Sequence, residues 1–340
     1  MRTEEFDYNL PNDAIAQTAI EPRDAARLLV SSSLEDRTFR ELPELLEPDD
    51  LLVVNRTRVR AARLTGNKPA SGGAVELLLL RRLDVERWEA LIRPARRIRP
   101  GLALSFDGIT GEVLSSPVDG VVTVQLTSAT GDVEDLLPSR GEVPLPPYFR
   151  GHLGDSERYQ TLFAKTIGSA AAPTAGLHFT PEVVGALGVR GVDIAEIDLE
   201  VGLDTFRPMS VAEIEDHHIH REQYEIPQAA AAAVAATRSR GGKVVAVGTT
   251  VVRTLETAAG RDGLVLPGGG ESALFIKPGY QMAVVDAVVT NFHAPRTTLI
   301  ALVAAMLGPA WRGVYATALE RGYRFLSFGD AMLIDQPVNR

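Results

Sequence analysis

Two strand–loop–helix junctions carry the side chains best suited to chemistry. In VAVGTTVVR (245–253), Gly248 permits a tight exit from an apolar strand, and Thr249 and Thr250 bring hydroxyls to the start of a helix. Free N–H groups at such a start attract a carboxylate or another anion. In TNFHAPRTT (290–298), Asn291, His293 and Arg296 sit beside the capping pair Thr297-Thr298. Ligands in open α/β sheets bind at the carboxyl ends of strands, where both junctions would present these groups. A third segment, SAAAPTAGLHFTPE (169–182), runs small residues into Pro173-Thr174-Ala175-Gly176 and then His178. Small residues let a ligand approach the backbone, and a histidine there is the natural acid–base group near neutral pH. Each segment also has a plainer reading. Gly-Thr-Thr after a strand is often only a cap, and a lone His often satisfies a buried carbonyl. His217, His218, His220 and Glu222 in EDHHIHREQYE lack the i, i+4 spacing of a zinc hydrolase helix, so no metal is expected. A polar surface or a substrate-contacting loop fits them better. Phosphate-loop, nucleophile-elbow and dinucleotide-binding patterns are absent.

The elements that must hold these groups change character along the chain. Residues 1–50 mix short helical and extended pieces. DLLVVN (50–55) reads as a buried strand. Short apolar runs follow at 74–80, 87–92, 102–106, 111–114 and 121–126, separated by turn signals such as Asp107-Gly108 and Asp119-Gly120. Such spacing predicts an antiparallel sheet or small barrel, ending at the proline-rich GEVPLPPY (141–148). Beyond it, strand and helix alternate. Strands are predicted at 243–247 and 284–289, and helices over 228–239, after Gly248, from Leu299 and over 312–321, with a last strand and turn in 323–334. The expected fold class is α/β, a mixed α/β main domain (1–57 and 149–340) with an inserted all-β, small-barrel domain (58–148).

Composition narrows the class further. With 340 residues, 45% hydrophobic and 23% charged, the chain can bury a core without staples. It has no Cys, so disulfides, thiolate zinc sites and cysteine nucleophiles are excluded. The acidic, polar N-terminus does not read as a secretory signal, and the longest strongly apolar stretch, 299–307, is short of the ~20 residues of a membrane span. A cytoplasmic protein without a membrane partner is expected. The net charge of −9 argues against coating nucleic acid by bulk charge, yet residues 51–101 hold twelve Lys/Arg against four acidic residues. That local excess suits a polyanion surface or, equally, a solvated sheet face.

The motifs in their order resemble one family, the S-adenosylmethionine:tRNA ribosyltransferase-isomerases of queuosine biosynthesis. The resemblance runs through FDYNLP (6–11), EPRDAARLLV (21–30), DLLVVNRTRVRAARL (50–64), RWEALIRPARRIRPG (87–101), GEVPLPPY (141–148) and AAPTAGLHFT (171–180). It continues through VAVGTTVVRTLE (245–256), FIKPGY (275–280), VVDAVVTNFHAPRTTL (284–299) and YRFLSFGDAML (323–333). It implies an enzyme that binds S-adenosylmethionine as ribosyl donor, with no metal. A base removes a proton next to the sulfonium and adenine and methionine leave. The ribosyl unit passes, with rearrangement, to the aminomethyl group of a 7-deazaguanine at the tRNA wobble position, giving epoxyqueuosine. It also implies pairing of an α/β domain with a β-barrel, and a monomer is expected.

On this resemblance His178, His293 and Asp330 are catalytic candidates. Arg23, Asn55, Arg58, Thr174, Gly176, Gly248, Thr249, Thr250, Arg253 and Asn291 are candidates for holding substrate, and Arg93, Arg96, Arg97 and Arg99 for tRNA phosphates. The chain departs from the family pattern at Arg56 (usually Asp), Glu200 (usually His), Asp204 (usually Gly) and Ser272-Ala273 (usually Thr-Asp). Two other readings stay open: the same donor used on a small-molecule or other nucleobase acceptor, or cleaved without tRNA, and a non-catalytic RNA-binding protein.

Overall fold

Leu51–Asn55 is buried at every position, as a run of apolar residues at the middle of a two-faced sheet must be. The computed structural model, which describes residues 1–340 except 152, 203–206, 220, 261–262 and 340, places it fourth in a nine-stranded mixed sheet. The order is Gly268–Ser272, Glu222–Ile226, Asp193–Leu199, Leu51–Asn55, Val244–Val247, Ala287–Asn291, Ala331–Ile334, Arg27–Val30, Glu35–Thr38. The four strands from Asp193–Leu199 to Ala287–Asn291 run parallel, and Ala331–Ile334 returns antiparallel. Alternate side chains feed two cores, as the two-residue period of a strand requires. Leu51, Val53, Val244 and Ala246 face a cluster built from the helices Gln228–Arg240, Thr249–Ala258, Thr298–Leu307 and Trp311–Glu320. Leu52, Val54, Val245 and Val247 face a second cluster with Phe39, Phe179 and Leu187.

This sheet belongs to one of two compact units, made of 1–58, 146–166 and 172–340; the other comprises 59–145 and 167–171. The second unit is a closed six-stranded antiparallel barrel, in the order Val121–Thr127, Arg87–Arg93, Ala74–Arg82, Arg63–Asn67, Ala103–Phe106, Ile109–Val113. Val122, Val124 and Leu126 point inward on alternate positions, and Trp88 is fully buried. Gly66 has no alternative there: a Cβ would lie 2.1 Å from the Ser105 carbonyl oxygen of the neighbouring strand. The mixed α/β fold with a barrel is therefore as the sequence predicts. A helix at Val133–Arg140, capped by Asp132 and containing Pro138, was not anticipated.

Two expectations shift for physical reasons. The strand predicted at 284–289 forms at Ala287–Asn291. Glu256, buried on the Thr249–Ala258 helix, accepts the N–H groups of Ala283 (2.8 Å), Val284 (2.9 Å) and Val285 (2.9 Å). Those donors are thereby withdrawn from any ladder. The apolar run beginning at 299 extends further than expected: the 23 residues Thr298–Glu320 are long and apolar enough to cross a bilayer. Every residue from Leu299 to Leu307 is buried, those from Ile300 onward in the first core, and a helix buried on all sides is apolar all round.

Glu256→Ala would remove the acceptor shared by three backbone amides, two of them buried. Chemical denaturation should show a loss of about 3–5 kcal/mol, and Glu256→Gln should lose less, since one side-chain oxygen survives.

Candidate active site

Parallel pairing of Val244–Val247 with Ala287–Asn291 brings their carboxyl ends to one edge of the sheet. The Gly248 N–H donates to the Val289 carbonyl at 2.8 Å, with Gly248 at φ +94°, a conformation open to glycine. The Thr249–Ala258 helix starts there with no side-chain cap. Its first N–H groups and the Thr250 hydroxyl face a pocket of about 570 Å³. Thr250 is 6% exposed, and its Oγ1 has no hydrogen-bond partner among the described residues. A buried unpaired hydroxyl costs free energy until something pairs with it.

Three loops close the pocket, and Asn291 ties them together. Its Oδ1 accepts from Thr174 Oγ1 (2.9 Å), and its Nδ2 donates to the Leu326 carbonyl (3.2 Å). His293 is held by its backbone, which accepts from the Tyr8 hydroxyl at 2.5 Å and donates to the Tyr315 hydroxyl at 3.1 Å. Its Nε2 lies 2.9 Å from Thr290 Oγ1. Burial pushes the His293 pKa down to about 3, so the imidazole is neutral. Across the pocket the Tyr148 hydroxyl bonds Ser327, and burial raises its pKa to about 12. Among the described lining residues, His293 and Tyr148 are the titratable side chains; none is Asp, Glu, Lys or Arg.

Thr174, Gly248, Thr249, Thr250, Asn291 and His293 are thus brought together. The other candidates lie elsewhere. Gly176 packs against Thr161, where a Cβ would stand 3.0 Å from Cγ2. His178 sits beneath the loop, stacked on Phe39, its Nδ1 3.1 Å from the Ala175 carbonyl and its Nε2 3.0 Å from that of Gly329. Burial lowers its pKa, against the pull of both carbonyls. Asp330 accepts the backbone N–H groups of Arg27 and Arg324 at 2.9 and 2.8 Å. Asn55 uses both ends of its amide on the backbone of Thr57 and Leu199. Arg58 pairs with Glu157, and Arg253 forms a buried pair with Glu222 at 2.6 Å. Arg23 and His178 line a separate narrow cleft. In the barrel unit Arg93, Arg96, Arg97 and Arg99 are all exposed and form no ion pair among the described residues.

Tyr8, Tyr148, Thr290, Tyr315 and Ser327 were missed by sequence reasoning. Tyr8, Tyr148, Thr290 and Ser327 stand inside quoted motifs (FDYNLP, PLPPY, TNFH, SFGD), but nothing local says that their hydroxyls converge.

The profile of the family described as "Queuosine biosynthesis protein" matches residues 3–334. The chain belongs to this family. It is 51% identical to the S-adenosylmethionine:tRNA ribosyltransferase-isomerase of Symbiobacterium thermophilum, over 98% of this chain and 100% of that protein. It is 50% identical to the enzyme of that name from Moorella thermoacetica, with the same coverage. The crystal structure of S-adenosylmethionine tRNA ribosyltransferase from Thermotoga maritima is similar at TM-score 0.54 and 37% identity, over 97% of this chain and 99% of that one.

Two departures from the family pattern now have surroundings. Arg56 grips the Asp198 carboxylate through Nε (2.9 Å) and Nη2 (2.6 Å), on the adjacent strand of the sheet. The Ser272 hydroxyl bonds Thr257 at 2.7 Å. Glu200 and Ala273 are exposed, and Asp204 and His220 lie outside the described residues.

Because His293 is neutral when folded and has an ordinary pKa of 6.5 when unfolded, the unfolded chain binds the extra proton between pH 6.5 and about 3. Its contribution to stability is complete above pH 6.5 and declines as pH falls through that window. The loss should be on the order of 3 kcal/mol between pH 7 and pH 4. Urea titrations of the wild type and His293→Gln should differ by that pH slope.

Proposed function

We propose that this member of the family transfers the ribosyl unit of S-adenosylmethionine to the aminomethyl group of a 7-deazaguanine at the tRNA wobble position. Adenine and methionine leave, and the product carries the epoxycyclopentanediol of epoxyqueuosine. The observation that carries the reading is a pocket whose described walls hold no charged side chain, with a neutral imidazole on one wall and an uncapped helix start on another. Sulfonium acidifies its adjacent C–H. A neutral base takes that proton without changing the net charge of the pair: the unit positive charge passes with the proton to the imidazole, and the sulfur keeps its charge beside the new carbanion in an ylide that is neutral at that centre. In a dry pocket, where charge separation is expensive, that is an accessible step.

In this reading His293 is the base. The imidazolium it becomes is the acid that protonates adenine on departure, so the proton is returned within one turnover. The uncapped N–H groups of the Thr249–Ala258 helix, together with the Thr250 hydroxyl, hold the methionine carboxylate. Asn291 and Thr174 keep the walls in register. His178 and Asp330 act as positioning residues, since their polar atoms are already committed to backbone. Arg93, Arg96, Arg97 and Arg99 would contact RNA phosphates, which orient the acceptor without reading its sequence. The protein is expected to act as a cytoplasmic monomer, checked by light scattering.

The test is adenine release, followed by liquid chromatography with mass detection, with tRNA bearing the aminomethyl-deazaguanine, unmodified tRNA or none. Release confined to the modified tRNA, with a matching gain in RNA mass, is expected. Release without tRNA would replace the acceptor by a small molecule or water. His293→Ala should lower kcat about 10²–10⁴-fold while donor affinity stays within a few-fold. Thr250→Val should raise the melting temperature, by removing an unpaired buried hydroxyl, and at the same time raise the KM for S-adenosylmethionine several-fold.

A further inference from the structure

A second cleft, of about 210 Å³, adjoins the pocket and shares Ser327 with it. Arg23, Arg158 and Arg324 line it, with His178. Each guanidinium is anchored on one side. Arg23 donates to the carbonyls of Gln160 (2.7 Å) and Glu157 (3.2 Å), Arg158 to that of Ile20 (2.7 Å), and Arg324 to that of Thr18 (3.1 Å). These bonds leave over Arg158 Nη1 and Arg324 Nη2. Both atoms are buried, and neither hydrogen-bonds to anything among the described residues.

Four carboxylates lie near the cluster, and three of them are turned to solvent. Glu21 pairs with Arg158 but is 64% exposed, and Glu157 faces solvent on Arg58. Asp155 is also exposed. Asp330 reaches Arg324 Nη2 only at 3.9 Å, its oxygens being occupied by backbone amides. The crowding is felt by Arg23, whose pKa is lowered first by burial and then by the charge of Arg158. Two guanidiniums that each keep one buried, unpaired nitrogen, beside a third, offer donors to an oxyanion that can accept from both.

We propose that this cleft binds a backbone phosphate of the acceptor RNA, next to the nucleotide whose base enters the adjoining pocket. The proposal rests on tRNA being the acceptor. A phosphodiester is anionic at every working pH and lies beside its base, as this cleft lies beside the pocket. The donor's carboxylate, the other anion at hand, is served by the helix start around Thr250.

The experiment titrates the full chain with an anticodon stem–loop RNA carrying the aminomethyl-deazaguanine, without turnover, and separately with S-adenosylmethionine. Arg158→Gln and Arg324→Gln retain an amide for the carbonyl anchor and remove the charge. Each should weaken RNA binding about tenfold and reduce its salt slope by about 0.7–0.9. Affinity for S-adenosylmethionine should move less than twofold. In the wild type, where no folding question arises, inorganic phosphate should compete with the RNA. Unchanged RNA affinity and slope in well-folded variants, weakening of the donor instead, or phosphate that does not compete would each overturn the phosphate site. Turnover of modified tRNA by the wild type, measured alongside, separates the two readings. Turnover with no phosphate effect sinks only the cleft assignment. Absence of both turnover and RNA binding sinks the acceptor reading and the cleft with it.

Discussion

The parallel pairing of Val244–Val247 with Ala287–Asn291 is the constraint from which the site follows. Strands joined by a crossover must end at the same edge of the sheet when they run parallel. Here the crossover is the Thr249–Ala258 helix, so Gly248 and His293 leave the sheet side by side. Glu256 sets where the second strand begins, by drawing three amides out of the ladder before Ala287. The bond from Gly248 N–H to the Val289 carbonyl then closes the exit of the first. A one-residue slip would turn Asn291 toward the opposite face and undo the tie between the Thr174 and Leu326 loops.

Charge is sorted around this edge. The described walls of the pocket hold hydroxyls, an amide, a neutral imidazole and helix N–H groups, but no fixed ion. The ions of the same unit are placed where they fasten structure: Arg253 on Glu222, Arg56 on Asp198, Asp330 on two backbone amides. The described lining sets no carboxylate beside the space that a cationic ligand would fill. The same economy explains His178. A histidine in the middle of the PTAGLH segment invites a catalytic role, yet the fold uses its two nitrogens to join the Ala175 and Gly329 backbones.

The sequence carried much of this directly. The barrel strands were legible because alternation and Gly turns are local signals, as in Val121–Thr127 with its strict inward–outward pattern. The buried strands and the Ala-rich helix were legible because run length and composition are local too. Thr174, Gly248, Thr249, Thr250, Asn291 and His293 were picked out by their place at strand ends, and the fold gathers them. Tyr8 and Tyr315 were invisible as site residues, since their hydroxyls meet the backbone of His293 from positions 285 and 22 residues away.

What the sequence alone determined is the set of elements and the family, because periodicity, turn residues and ordered motifs are properties of neighbouring positions. What only the tertiary structure decided is which polar groups face a ligand and which are spent on the fold. That division depends on which carbonyl, amide or charge arrives from a distant segment. Arg158 and Arg324 show it most plainly: along the chain each is one more arginine, and only packing leaves each with a buried nitrogen that has no hydrogen-bond partner among the described residues.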